Sequence, residues 1–463
     1  VWTGPESCAI IEEVRIPTLE AFMPRALILE PNRLSLATRM TSARAATDEL
    51  FSILRPDALY ERPIPERHRL IFYLGHLEAF DWNLIAVRAF GIEPFHPEFD
   101  KLLAFGIDPV DGGLPSEPAS DWPDAASVRS YNARVREIVD QCLSGGREPR
   151  EGTDLDTMWN MAIEHRLMHA ETLAYLFHQL PFTAKVAPPE TSLPPRAKVA
   201  TLEIAIPAGE ATLGQRREDR AFGWDNEFER TKVRVLAFTI DAHKVTNGRF
   251  LEFVRDGGYD KETLWTPADW KWRVKSDVRH PGFWRERDGS WLYRGMFAEV
   301  PLPLDAPVYV SHAEASAFAR WAGRSLPTEA QFHRAAYGTP QDEERDYPWG
   351  AEPPSERHGN FDLHRWDPTP VGSFPAGDSA FGVAELVGNG WEWTSSVFGP
   401  FPGFAPHPDY EGYSKNFFDG EHYVQKGGSP RTAACMLRRS FRNWFQPHYP
   451  YVYAGFRTVG RGD

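Results

Sequence analysis

The segment Val186–Lys198, VAPPETSLPPRAK, holds four prolines and no periodic apolar pattern. Proline lacks a backbone N–H and fixes φ, so neither a helix nor a paired strand runs through such a stretch. It predicts a linker at 186–199 between one domain at 1–185 and another at 200–463, because residue patterns differ on its two sides. Upstream, glycine is scarce outside loops and apolar residues return every third or fourth position. Stretches near Ser42–Leu54, His68–Phe90 and Ala125–Cys142, and a run from Thr153 to the stop at Pro181, read as four helices. Thr153 with Asp156 has the spacing of a capping box, and Gly91 is placed to end the second helix. Four helices of this length form a bundle. Downstream, short β-like runs such as Lys232–Ile240 and Val308–Val310 alternate with Gly- and Pro-rich loops. Helices are expected there only around Thr246–Arg255, His312–Gly323 and Glu329–Tyr337. The fold class is therefore multidomain, an α bundle followed by an α+β half, with no internal repeat.

Charge and cysteine usage exclude several function classes. The formal net charge is −14, which disfavours phosphate neutralisation on nucleic acid and docking to anionic lipid. No apolar run reaches the roughly 18 residues of a transmembrane helix. The three cysteines, Cys8, Cys142 and Cys435, form no CxxC and lie far apart. That pattern argues against a disulfide framework and a local thiolate zinc site, and fits a reducing cytosol. No basic n-region followed by an apolar h-region opens the sequence, which begins at Val1. A cytoplasmic location is the expectation. Most of the 16 tryptophans lie beyond residue 220. They either fill a core or line a pocket for a flat or quaternary-ammonium ligand.

The chemistry is carried by histidines. In the fourth helix Met158, Ala162, His165, His169, Thr172 and Leu176 share one stripe, and His165 and His169 at i, i+4 project side by side. In the second helix the inward stripe is Phe72, His76, Phe80, Leu84 and Val87, with His68 two turns before His76 as a substitute. Three imidazoles meeting inside a bundle make a facial nitrogen site suited to zinc, copper, iron or nickel. Three neutral ligands leave the dication charge unbalanced and coordination positions open, which favours a soft anion such as a thiolate or selenolate, with room for dioxygen. No HxD/E motif stands where it could add a carboxylate ligand. Zinc with a hydrolytic water is a competing reading of these residues alone.

Longer motifs carry a resemblance. H-L-E-A-F-D-W-N from His76 and H-R-L-M-H-A-E from His165 resemble the DinB-like helical bundle. G-W-D-N-E (Gly223–Glu227), V-T-N-G-R-F-L-E-F-V-R-D-G-G-Y (Val245–Tyr259), W-A-G-R-S-L-P-T-E-A (Trp321–Ala330), G-N-G-W-E-W-T-S-S (Gly388–Ser396), G-G-S (Gly427–Ser429) and A-G-F-R (Ala454–Arg457) resemble the formylglycine-generating-enzyme-type domain, a C-type-lectin-like α+β fold. In this order the two halves look like the ergothioneine-type sulfoxide synthases. These are non-haem iron(II) enzymes that join a chalcogen to C2 of the imidazole of hercynine. Copper-binding relatives of the second half use two cysteines after G-G-S. Here that segment is P-R-T-A-A-C-M-L-R-R with Cys435 alone, so formylglycine generation is not expected.

The resemblance implies Fe(II) on His76, His165 and His169. It implies a Y-x-x-Y pair at Tyr410 and Tyr413, the first as proton donor, and substrate contacts at Asn443 and Trp444. Members that take γ-glutamylcysteine follow R-N-W with an Asp and, shortly after, an Arg. Here Phe445 replaces the acid and Tyr449 stands where the base would be. A zwitterionic peptide would lose its charge-assisted hydrogen bonds. Cysteine-using members also lack the pair. The selenoneine synthase branch, which uses a selenosugar, looks most similar, especially in G-G-S-P-R-T and R-N-W-F-Q-P-H-Y-P-Y-V-Y-A-G-F-R. Neutral Asn443, Gln446 and His448 would suit a sugar. Met168 replaces the Gln of H-x-x-Q-H in many relatives. The implied partners are thus hercynine, a selenosugar or thiol, and dioxygen, at a site between the halves. A metal-dependent thiol transferase and a non-catalytic binding module are the readings from other classes.

Overall fold

The computed structural model describes residues 35–104, 117–188, 200–219 and 221–462. Cys8 and residues 189–199 of the proline-rich segment lie outside them. The N-terminal half is built from α1 (Leu36–Ser52), α2 (Leu70–Asp81, continued as a π-helix over Trp82–Ala89), α3 (Pro97–Leu102), α4 (Ala125–Leu143) and α5 (Leu155–Gln179). The expected helix boundaries shift where capping decides them. α1 begins at Leu36 rather than Ser42, because Ser35 accepts from the Thr38 N–H. α5 is capped by Asp154, which accepts from the Thr157 N–H, and not by Thr153. Gly91, at φ +66°, ends the second helix as expected.

α1 packs on α5 and α2 on α4. Arg166, fully buried between the two metal-candidate histidines of α5, locks that helix to α2. Its guanidinium donates to both oxygens of Glu78 at 3.0 and 2.8 Å, to Asp81 at 2.7 Å and to the Leu77 carbonyl at 3.1 Å. A buried cation satisfied on so many sides fixes the register of the two helices.

The second half contains β1 (Glu203–Ile206), β2 (Gly209–Leu213), β3 (Thr231–Val235), β4 (Phe238–Asp241), α6 (Asn247–Arg255), α7 (Pro267–Lys275), β5 (Trp284–Arg287), β6 (Ser290–Arg294), β7 (Glu299–Pro301), α8 (His312–Trp321), α9 (Glu329–Tyr337), β8 (Trp391–Val397), β9 (Tyr423–Lys426), β10 (Asn443–Phe445), β11 (Ala454–Gly455) and β12 (Val459–Arg461). The largest sheet has the order β10-β9-β8-β11, and β12 pairs antiparallel with β4. Two expectations need correction. The Lys232–Ile240 run splits into β3 and β4, which belong to different sheets. Val308–Val310 is not a strand: its N–H groups donate to the carbonyls of Val245 and Ala454, as irregular chain bridging two segments. α7 was not expected. Thr266 caps it by accepting from Asp269 N–H, and Pro267 opens it. Among the described residues no helix is long and apolar enough to cross a membrane.

α5 is also the docking element. Glu164, Glu171 and His178, spaced by seven, form a stripe that meets the second half, with Glu164 and His178 buried and Glu171 half-buried. Glu164 binds Arg438 and the Trp224 indole. Glu171 accepts from Trp391, Ser429 and Thr432. His178 donates to the Arg294 carbonyl and accepts from the Tyr453 hydroxyl.

Just beyond α5, the Lys185 ammonium is pushed down to about 7, chiefly by burial and then by Arg294. Between that value and the ordinary 10.5 the unfolded chain holds a proton that the folded chain lacks. Stability from this group therefore rises with pH across the window, and its full cost is present below about pH 7. Lys185→Met is expected to raise the melting temperature at pH 7 by about 2–4 °C, the gain shrinking toward pH 10. The Phe177 carbonyl that Lys185 binds keeps the Leu180 N–H. Thermal melts across that range check this, and a gain independent of pH contradicts it.

Candidate metal centre and the cavity at the domain seam

α2 presents His76, and α5 presents His165 and His169, to one point inside the bundle. One ligand nitrogen from each lies within 4.8 Å of the others, and all three rings are buried. The Nε2 atoms of His165 and His169 are 3.2 Å apart. His76 donates from Nδ1 to the Leu103 carbonyl at 2.7 Å, which leaves its Nε2 lone pair for the cluster. Gly75 allows that approach: a Cβ there would stand 2.5 Å from Leu103 Cδ1. Ring orientation is set by stacking, Phe72 on His76 at 4.8 Å and Phe80 on His165 at 3.5 Å between centroids. Burial pushes His76 down to about 4, and burial followed by the neighbouring imidazoles holds His165 well below the ordinary imidazole value. Burial and then His76 and Arg67 do the same to His169. Neutral imidazole is the ligating form, so the set fits a divalent cation of borderline softness. His68 packs at a tilt against Phe72, 4.3 Å between centroids, and is not part of the cluster.

His165 and His169 open on a cavity of about 390 Å³ at the seam of the two halves. The bundle contributes Arg67, Met168, Glu171, Thr172 and Tyr175 to it. The second half contributes Tyr410, Tyr413, Asn416, His422 and Asn443–Phe445. A larger cleft of about 970 Å³, lined by Asp156, Asn160, Glu164 and Arg438, contains none of the three histidines.

Tyr410 lies with its ring centroid 5.5 Å from Phe80 and 6.3 Å from His165. Tyr413 turns away from the imidazoles: its hydroxyl donates to the Met168 sulfur at 3.3 Å and its ring stacks on Trp224 at 3.9 Å. Asn443 donates to Gln425 at 3.1 Å, and Trp444 stacks on Phe398 at 4.2 Å. Phe445 and Tyr449 stack on each other at 5.2 Å and 8°. Gln446 and His448 are not brought to the cavity. Gln446 is exposed, and His448 pairs with Asp269 at 2.8 Å while stacking on Trp272.

The tryptophans divide between core and cavity. Trp224, Trp284 and Trp393 fill the core, while Trp391 and Trp444 line the cavity. Sequence reasoning missed Arg67 and Glu171. The seven-residue spacing of Glu164, Glu171 and His178 was a signal for the latter; Arg67 precedes α2 and follows no period.

Comparison with known proteins bears on both halves. Residues 39–173 match the DinB superfamily and residues 190–461 the sulfatase-modifying factor enzyme 1-like domain. The bundle is thus a DinB-type domain, followed by a formylglycine-generating-enzyme-like α+β domain. The hercynine oxygenase of Mycobacterium tuberculosis is 36% identical over 337 residues, covering 72% of this chain and 77% of its own length. That of Mycolicibacterium smegmatis is 35% identical over 376 residues, covering 78% and 83%. Ergothioneine biosynthesis protein 1 of Neurospora crassa is 29% identical over 498 residues, covering 88% of this chain and 55% of that protein.

Proposed function

The chain belongs to the hercynine oxygenase family of non-haem iron oxidoreductases, and from that premise we propose that it joins a selenosugar to C2 of the imidazole of hercynine. The observation that carries the oxidative chemistry is the buried cluster of His76, His165 and His169 beside the seam cavity. The reaction balances without a further reductant. Forming the C–Se bond with loss of the C2 and selenol protons releases two electrons, and oxidising selenium to the selenoxide releases two more. Dioxygen takes all four, one oxygen atom ending on selenium and the other in water.

Iron(II) held by the three imidazoles would supply the redox centre and the open positions for a soft chalcogen anion. The protein supplies alignment and protons. Stacked Phe72 and Phe80 hold the imidazole planes, and Trp391, Tyr410 and Trp444 offer aromatic faces to the trimethylammonium group of hercynine. Tyr410 is assigned as proton donor because its ring approaches His165, whereas the Tyr413 hydroxyl is committed to Met168. Tyr410→Phe is expected to lower turnover by roughly 100-fold or to give product without the selenoxide oxygen. An unchanged rate and product mass would clear it of the role.

Support for a selenosugar comes from the Phe445–Tyr449 stack. It stands where an acid–base pair would grip a zwitterionic peptide, and Thr172, Asn416 and Asn443 add uncharged hydrogen-bonding groups to the same cavity. The test is anaerobic iron(II) reconstitution, then oxygen uptake and product mass with hercynine plus 1-selenoglucose, cysteine or γ-glutamylcysteine. The seleno-product is expected. Product with cysteine alone removes the selenium reading and leaves a hercynine–cysteine sulfoxide synthase. Thiol conjugation without oxygen uptake would indicate a thiol transferase.

A further inference from the structure

We propose that Arg67 is the carboxylate-recognising residue of the seam cavity, an inference that rests on the substrate class given above. Arg67 comes from the bundle, just before α2, and lines the cavity together with His165 and His169. Its Nε donates to the Tyr449 hydroxyl at 3.0 Å, and its guanidinium carbon lies 5.3 Å from the Tyr449 ring centre and 6.0 Å from that of Tyr175. Tyr449 is itself held by the stack on Phe445.

The cation is thus mounted on aromatic rings. Other buried arginines in the chain behave differently. Arg166, Arg438 and Arg442 each pair with a carboxylate, whereas among the described residues none pairs with Arg67. The one carboxylate on the cavity wall near the histidines, Glu171, is engaged by Trp391, Ser429 and Thr432. With three neutral imidazoles alongside, a fixed positive charge faces the space where substrate must lie.

Hercynine carries its carboxylate and its trimethylammonium on the same α-carbon, with the imidazole at the far end, and this wall offers a guanidinium for the carboxylate and ring faces for the ammonium. A guanidinium forks naturally onto a carboxylate. A selenosugar has no carboxylate, so on that reading hercynine is its partner. An amino-acid thiol is the other source of the same chemistry.

The test is calorimetric binding to the intact iron-loaded protein under nitrogen, with three probes: hercynine, its decarboxylated counterpart trimethylhistaminium, and cysteine. Wild type is compared with Arg67→Met and Arg67→Lys, with iron content and thermal melts measured for each. Arg67→Met is expected to bind hercynine roughly 10- to 100-fold more weakly and the decarboxylated probe unchanged, with partial recovery in Arg67→Lys. A merely structural role would weaken both. Loss confined to cysteine would keep the carboxylate role and move it to the thiol donor. Equal binding of hercynine and cysteine by wild type and Arg67→Met overturns the proposal. Wild type that binds neither overturns it along with the substrate reading; wild type that binds cysteine alone, with loss in Arg67→Met, overturns only the latter.

Discussion

His165→Ala is expected to remove bound iron and turnover together. Its Nε2 is 3.2 Å from that of His169, and its ring is clamped under Phe80. Two imidazoles on separate helices are a poor facial site, and the alanine methyl offers no donor in their place. Loss of an outer-sphere partner alone typically costs 10- to 100-fold in metal affinity or activity, so loss of a ligand is expected to exceed roughly 100-fold in both. The fold should persist, because deletion also relieves the cost of burying an imidazole whose Nδ1 has no hydrogen-bond partner. Metal content after anaerobic reconstitution, oxygen uptake and a thermal melt read the three effects separately. Turnover that survives would show that the ion lies elsewhere.

Arg438→Met is expected to give the largest loss of stability. Arg438 bridges Glu164 of the bundle, at 2.7 and 3.0 Å, and Glu227 of the second half, at 2.9 and 2.5 Å. Both carboxylates are buried. Removing the shared cation leaves two like charges facing each other across the seam, a cost of about 3–5 kcal/mol. Burial already pushes Glu164 up, with Glu227 adding to the push and Arg438 opposing it. Without Arg438 the folded-state value of Glu164 rises further above the unfolded one, so the variant's deficit is present at neutral pH and shrinks as that carboxyl protonates on acidification. Urea unfolding at several pH values checks both size and sign. A midpoint equal to wild type at neutral pH would mean that the triad does not hold the halves together.

The metal cluster was legible because its determinants are local. A helix with His at i, i+4 and a second helix with His on its apolar stripe leave few ways to pack without bringing the rings together. The aromatic stacks, the Leu103 carbonyl under His76 and the Arg67–Tyr449 contact were not legible, since each joins residues far apart in sequence. The Lys232–Ile240 run shows the same limit in the second half. Its alternation reads as one strand, but partners from β2 on one side and from β1 and β12 on the other divide it between two sheets. Gln446 and His448 were grouped with Asn443 by nearness in sequence, whereas the chain leaves the cavity after Phe445 and carries His448 to Asp269.

The most direct measurement is anomalous diffraction at the iron edge from crystals of the iron(II)-loaded protein grown without oxygen. A single peak is expected within ordinary metal–nitrogen distance, roughly 2 Å, of the Nε2 atoms of His76, His165 and His169. A peak bonded to fewer of these rings, or sited in another part of the molecule, would contradict the assignment of the metal centre.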